Sequence, residues 1–310
     1  MLKGRTCAVC AGASFTFSAE CLAVLRIGVN EAPLFMASLR QICLLCVLPA
    51  ILLAGEPVLI KTPAEANSSP YDNLQIGVPV FTDYVVDREW FCIGFSRKHR
   101  QPLWVQYRLL AAEVENKVVE RSNNFHKDRV IPESPTHKDY AKTGYDRGHM
   151  APAGDMRWSP EAMSDSFLMT NMSPQHPRCN RATWKYLEEQ VREWAKNEKE
   201  LYVICGPIFA EKSITICNGT IPVPLAYFKI VYDATPPEKM IAFIIPNWKT
   251  KGNLQNFTVT VEQVEKITGF NFFSNLPEET QLKLEATVSV DAWIWKTAFN
   301  SKPIHVSRSE

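Results

Sequence analysis

The stretch YDRGHMAP, residues 145–152, puts an acid, a base, a glycine and a histidine in four consecutive positions, with an aromatic before them. Gly148 lets the backbone turn tightly or approach a ligand closely. His149 is the side chain of the four whose ordinary pKa makes it a base near neutral pH. Arg147 suits a bidentate contact to phosphate. Alone, Asp146-Arg147-Gly148-His149 reads either as a solvated turn with an ion pair or as the working end of an enzyme.

The segment TNMSPQHPRCNRATWKYLEEQVR, residues 170–192, shifts that balance. Trp184, Leu187, Val191 and Trp194 recur at spacings of three, four and three, which predicts a helix over 180–197 with one apolar stripe. Asn180 stands where that helix begins. It is a natural N-cap there, but its amide oxygen can also ligate a hard cation. Glu188 and Arg192 form an i,i+4 pair, which usually means a weak surface salt bridge. At about 100° per residue, however, they lie beside the apolar stripe rather than opposite it, where side chains can point into a cleft. A base, a hard-cation ligand, a carboxylate and several arginines are the set that phosphodiester hydrolysis needs. Water must lose a proton, the leaving alkoxide must be stabilised, and the phosphorane must be surrounded by positive charge.

The rest of the chain supplies a frame for such a site. Strands are predicted in 78–87, 88–96, 102–110, 202–209, 227–233 and 239–247, each rich in β-branched and aromatic residues. A shorter helix is expected over 258–269, with Gly269 as its stop. Strands, a long central helix and more strands predict an α+β fold with a mixed central sheet and flanking helices, not a doubly wound repeat. No GxGxxG after a strand, no Walker sequence and no GxSxG occurs, so those three chemistries have no support. With 310 residues there is ample length for a buried core. A net charge of +1 leaves a polyanion partner to be held by a local patch.

Residues 1–60 form an N-terminal extension holding five of the nine cysteines. Within it, the uncharged apolar run 42–55 follows Arg40. From Met36 onward the order matches a signal peptide with cleavage near Ala54-Gly55, with a membrane anchor as the second reading. Residues 1–35 carry acids as well as bases, so a mitochondrial presequence is a poorer match. Export is therefore the expectation, with anchoring or a mitochondrial address as alternatives. Membrane contact follows only if the apolar segment stays uncleaved. Residues 61–74 are polar and proline-punctuated and read as a linker, 75–300 as the domain and 301–310 as a tail. Cys92, Cys179, Cys205 and Cys217 lack zinc-finger spacing, and their even number is compatible with disulfides.

With these residues in hand, the sequence resembles the DNA/RNA non-specific endonucleases of the ββα-metal (His-Me finger) superfamily. The family's D-R-G-H followed by N-x-x-x-W-x-x-L-E reads here as Asp146 to His149 and Asn180 to Glu188. The stretch ERSNNFHKD, residues 120–128, resembles the R-x-x-x-F segment and offers Arg121, while TNMSPQ, 170–175, offers Asn171. The similarity runs from about residue 75 to 297.

The resemblance implies a ββα-metal fold and roles residue by residue. His149 would be the general base. Asn180 would be the one direct protein ligand of Mg²⁺, with Mn²⁺ as substitute, and Glu188 would orient water held by that cation. Arg121, Arg147 and Arg192 would bind phosphates, Asn171 would help position the site, and Asp146 would support Arg147 or the loop. The expected partners are DNA and RNA, cut to leave 5′-phosphate ends. Homodimers are common in the family, though no sequence feature signals one. A catalytically silent nucleic-acid-binding homologue, or a mainly 5′-exonuclease of the mitochondrial branch, is the alternative. Trp158 and Trp184 are candidates for stacking on bases, with core packing the plainer reading of Trp184. His176 is a candidate substrate contact.

Overall fold

The computed structural model describes residues 56–296. The apolar segment 42–55 and the tail 301–310 lie outside the described residues. Strands run over β1 (Val58–Ile60), β2 (Tyr84–Asp87), β3 (Cys92–Ser96), β4 (Gln101–Leu110), β5 (Asp146–His149), β6 (Met172–Gln175), β7 (Glu200–Ile208), β8 (Thr215–Ile216), β9 (Ile221–Pro222), β10 (Ala226–Asp233), β11 (Lys239–Pro246) and β12 (Thr258–Val259). The α-helices are α1 (Pro63–Asn67), α2 (Ala111–Glu115), α3 (Pro160–Ser166), α4 (Lys185–Glu198), α5 (Val261–Thr268) and α6 (Glu278–Glu285). Eight strands form one sheet in the order β1-β2-β3-β4-β7-β10-β11-β12, while β5 pairs with β6 and β8 with β9.

The α+β class therefore holds. The sheet, however, is not mixed: each of its pairings is antiparallel. Its strands are joined by hairpins and returns rather than by the helical crossovers that parallel neighbours require.

Alternation along the central strands splits the core into two layers. On β7, Leu201, Val203 and Cys205 face one layer, and Tyr202 and Ile204 face the other. The first layer is closed by α4, which buries Leu187, Val191, Trp194 and Ala195. The second is closed partly by α5 through Val261 and Val264. Gly269 ends α5 in a left-handed conformation, φ 72°, as its position suggested.

The linker reading of 61–74 fails. Pro63–Asn67 form α1, and Asn73 and Leu74 are buried. Asn73 Nδ2 donates to Asp87 Oδ1 at 2.9 Å and to the Arg88 carbonyl at 2.6 Å. Gln106 Nε2 on β4 donates to the Asn73 carbonyl at 2.6 Å. Prolines and polar residues here cap a short helix and hydrogen-bond to β2 and β4, so composition misreported an ordered segment. The four cysteines of the body are all free thiols. Cys92 and Cys205 face opposite layers of the core, which keeps that pair apart.

Candidate functional site

Strands β5 and β6 form a two-stranded ribbon in which Asp146 faces Gln175, Gly148 faces Ser173 and His149 faces Met172. The chain leaves β6 through residues 176–178 and enters a π-helical turn, Cys179–Trp184, that runs straight into α4. Ribbon and helix together make a ββα unit on one side of the sheet. A Cβ on Gly148 would overlap the Gln175 side chain, so the close packing of the ribbon requires glycine there.

His149 ends the ribbon, almost fully buried, and its Nε2 has no hydrogen-bond partner. The rings of Phe125 and Phe167 flank it, with centroids 5.7 and 4.8 Å away. Each of those rings also carries an arginine: the Arg147 guanidinium lies 4.0 Å from the Phe125 centroid and that of Arg121 lies 5.2 Å from Phe167. Burial, then the charges of Arg121 and Arg147, push the His149 pKa down to about 3. The imidazole is therefore neutral at physiological pH, with a lone pair available to accept a proton.

Asn171 is fully buried, and its side chain is spent on backbone. Its Oδ1 accepts from Ala151 N at 2.9 Å, and its Nδ2 donates to the Ala151 and Ser166 carbonyls, both at 2.8 Å. It pins the chain just past His149, with its side chain turned to backbone rather than to a substrate.

Asn180 does not act as an N-cap. The cap of the π-helical turn is Arg178, without a side-chain hydrogen bond, and Asn180 Nδ2 instead donates to Asp146 Oδ2 at 3.0 Å. Arg181 grips the same carboxylate, Nε to Oδ2 at 2.8 Å and Nη2 to Oδ1 at 2.6 Å. Partial burial works against the Asp146 charge, but the Arg181 and Asn180 hydrogen bonds hold its pKa below the usual range. Asp146 thus clasps the helix start to the ribbon; its hydrogen bonds go to Asn180 and Arg181, where support of Arg147 or the loop was the expectation. With Nδ2 occupied, the amide oxygen of Asn180 remains as its acceptor.

Glu188 follows Trp184 by one helical turn. Burial raises its pKa to about 7, against the opposing charges of Lys229 and then Arg192. Arg192 is paired with buried Asp155, Nη1 to Oδ1 at 2.7 Å, and Tyr107 donates to Asp155 Oδ2 at 2.9 Å. One edge of the Arg192 guanidinium is thus committed to Asp155, so the phosphate-binding role leaves it only the other edge. The charge of Arg121 acts on both His149 and Glu188, so it is shared by the ribbon and helix halves of the site.

Among the described residues no group of three or more His, Cys, Asp or Glu side chains is disposed to hold a metal. What exists is one amide oxygen, oriented by Asp146, with the Glu188 carboxylate on the same helix. That sparse oxygen set fits a cation that keeps most of its water, as Mg²⁺ does, and does not fit a dehydrated transition metal.

Three features escaped the sequence. Asp155 and Lys229 are single charged residues inside apolar runs, and that isolation was the available signal. Of the aromatic pair, Phe125 stood in the R-x-x-x-F segment without a role, and Phe167 gave no signal, because only the fold brings it to His149. Trp184 is fully buried and cannot stack on a base; Trp158 packs on Trp90, at 6.2 Å between centroids. His176 Nδ1 accepts from Arg178 N at 3.1 Å.

A model of the DNA/RNA non-specific endonuclease family matches residues 69–279. A nuclease of Syncephalastrum racemosum is 34% identical over 230 residues, covering 66% of this chain and 72% of that protein. A mitochondrial nuclease of Saccharomyces cerevisiae is 30% identical over 257 residues, covering 71% and 78%. Among solved structures, the crystal structure of an EndoG/EndoGI complex, titled as the mechanism of EndoG inhibition, matches with a TM-score of 0.63 and 28% identity. It covers 74% of this chain and 97% of that one.

Proposed function

Since the chain belongs to the DNA/RNA non-specific endonuclease family and is a nuclease, a phosphodiester hydrolase, we propose that it hydrolyses DNA and RNA with His149 as general base. The observation that carries this reading is the unpartnered Nε2 of His149, walled by Phe125 and Phe167, with Arg147 and Arg121 on those same rings.

In that mechanism His149 takes a proton from water as the water oxygen bonds to phosphorus. The P–O3′ bond breaks on the opposite side, leaving 5′-phosphate and 3′-hydroxyl ends. Arg121 and Arg147, seated over the rings of Phe167 and Phe125, bind the non-bridging oxygens and offset the charge that grows on them. The free edge of Arg192 adds to that field. Asn180 would hold a divalent cation, Mg²⁺ or Mn²⁺, with Glu188 orienting its water, and that cation would supply charge to offset the departing oxygen. Asp146 keeps the Asn180 amide turned for that purpose, and Asn171 keeps His149 at the end of the ribbon. Phosphate contacts without base readout give low sequence preference.

Relatives named mitochondrial agree with the organelle alternative for the compartment. Among the described residues no helix is long and apolar enough to cross a membrane. Residues 36–55 are proposed to carry the address, which cell fractionation with protease protection would assign.

The test of function is cleavage of supercoiled plasmid by the full chain with Mg²⁺, with EDTA, and with His149→Ala beside the wild type. Nicking that needs Mg²⁺ and falls by at least about a hundredfold in His149→Ala supports the reading. Because the plasmid is circular, cleavage also marks endonucleolytic action over the exonuclease alternative. A folded chain that binds DNA without cutting it would move the silent homologue into first place.

A further inference from the structure

Lys229 lies in the middle of β10, paired to β7 on one side and β11 on the other. By strand alternation it shares a face with Tyr227 and Val231, the face that α4 covers. Its side chain is fully buried, and no oxygen or nitrogen accepts a hydrogen bond from Nζ. At the centre of a sheet the ammonium cannot snorkel to water. A charge in such a place needs a compensating one.

Its neighbours narrow what that compensation is. Nζ stands 4.8 Å from the ring of Trp184, so the indole face supplies part of it. The sulfur of Cys205 is beside it, but burial raises that thiol to about 11, so it stays neutral, and its proton goes to the Met150 carbonyl. Asp155 is already engaged by Arg192 and Tyr107. Glu188 remains. It sits one turn beyond Trp184 on α4, and among the charges around it that of Lys229 has the largest effect, ahead of Arg192.

We infer that Lys229 is a positioning residue of the site: its buried charge, seated on the indole of Trp184, is the internal counter-charge that holds Glu188 and the first turns of α4 in place. The role rests on the nuclease reading of Glu188, but the seating of buried Lys229 on Trp184 is a property of the fold. Lys229 touches no substrate. It acts from beneath the site, through the helix that presents Asn180 and Glu188.

The experiment is a double-mutant cycle on the full chain: wild type, Lys229→Met, Glu188→Gln and both together, read by thermal midpoint and by kcat and KM on DNA. Each single change is expected to lower the midpoint by roughly 5 °C or more, by leaving one charge without its partner. The double variant should return to within about 2 °C of wild type, because both charges leave together. Lys229→Met should lower kcat about tenfold to a hundredfold with KM within about twofold. In the Glu188→Gln background it should cost less than about threefold. Additive midpoints and multiplying rate losses would overturn the proposal, as would Lys229→Met with wild-type stability and kcat. If Lys229→Met fails to fold while the double variant folds, the coupling stands in its strongest form. If neither folds, Lys229→Gln takes its place in the cycle, and additivity decides in the same way. A wild-type chain without nuclease activity would refute the functional reading and leave the thermal cycle to judge the pairing.

Discussion

At His149, burial and the charges of Arg121 and Arg147 act in the same direction, and the consequence is measurable in stability as well as in catalysis. The folded pKa of about 3 lies below the roughly 6.5 of an unfolded histidine. Between those values the unfolded chain holds a proton that the folded chain lacks, so stability rises with pH across the window. The contribution is fully present above about 6.5 and is lost as pH falls toward about 3, at about 1.4 kcal/mol per pH unit. Wild type should therefore lose thermal midpoint more steeply than His149→Gln between about pH 6 and pH 4. Glu188 and Asp87, whose pKa values burial raises to about 7 and about 6, pull the other way, and they do so in both chains. Parallel curves for the two chains would show that His149 is not held neutral by its surroundings.

The ribbon and the start of the helix show how an element can be set by contacts that pattern does not carry. β7, β10 and β11 were legible because their β-branched and aromatic residues fill both core layers. β5 and β6 were not, since DRGH and MSPQ have neither alternation nor β-branched residues. What makes them a ribbon is the fit of Gly148 against buried Gln175. Gly148→Ala should cost about 1–3 kcal/mol through that overlap, and Gln175→Ala in the same chain should return most of the loss. If the second change returns nothing, the packing account of the ribbon is wrong. The helix was legible over 180–197 from its apolar stripe, Trp184 to Trp194. The π character of its first turn was not, because that turn is fixed by Asp146 reaching across to Asn180 and Arg181. The candidate site shares that division. Side chains inside the motifs were found by their types and spacing, while Asp155, Phe167 and Lys229 enter only through partners far along the chain.

For the molecule as a whole, a net charge of +1 means that affinity for nucleic acid must come from a few placed cations. Arg121 is the most telling of them, exposed in a loop yet acting on both halves of the site. In a His149→Ala background, Arg121→Ala should weaken DNA binding to a similar degree for every sequence. It should also reduce the slope of log affinity against log salt by about one. An unchanged slope in anisotropy titrations would remove Arg121 from the phosphate contacts. At this scale the sequence misled once. The polar stretch 61–74 read as a linker because composition records the solvent-facing residues, whereas Asn73 and Leu74 do their packing singly.

The free thiols give the body a timing device. Cys92 lies under one face of the sheet and Cys205 under the other, while Cys179 is sealed at the foot of α4 and Cys217 is half-exposed. Burial also raises the pKa of Cys179 to about 12 and that of Cys92 above its ordinary value, so the sealed sulfurs stay protonated while the layers are closed. An alkylating reagent thus meets Cys217 in the native body, and the other three as the layers part. The order in which those three are labelled dates the opening of each layer.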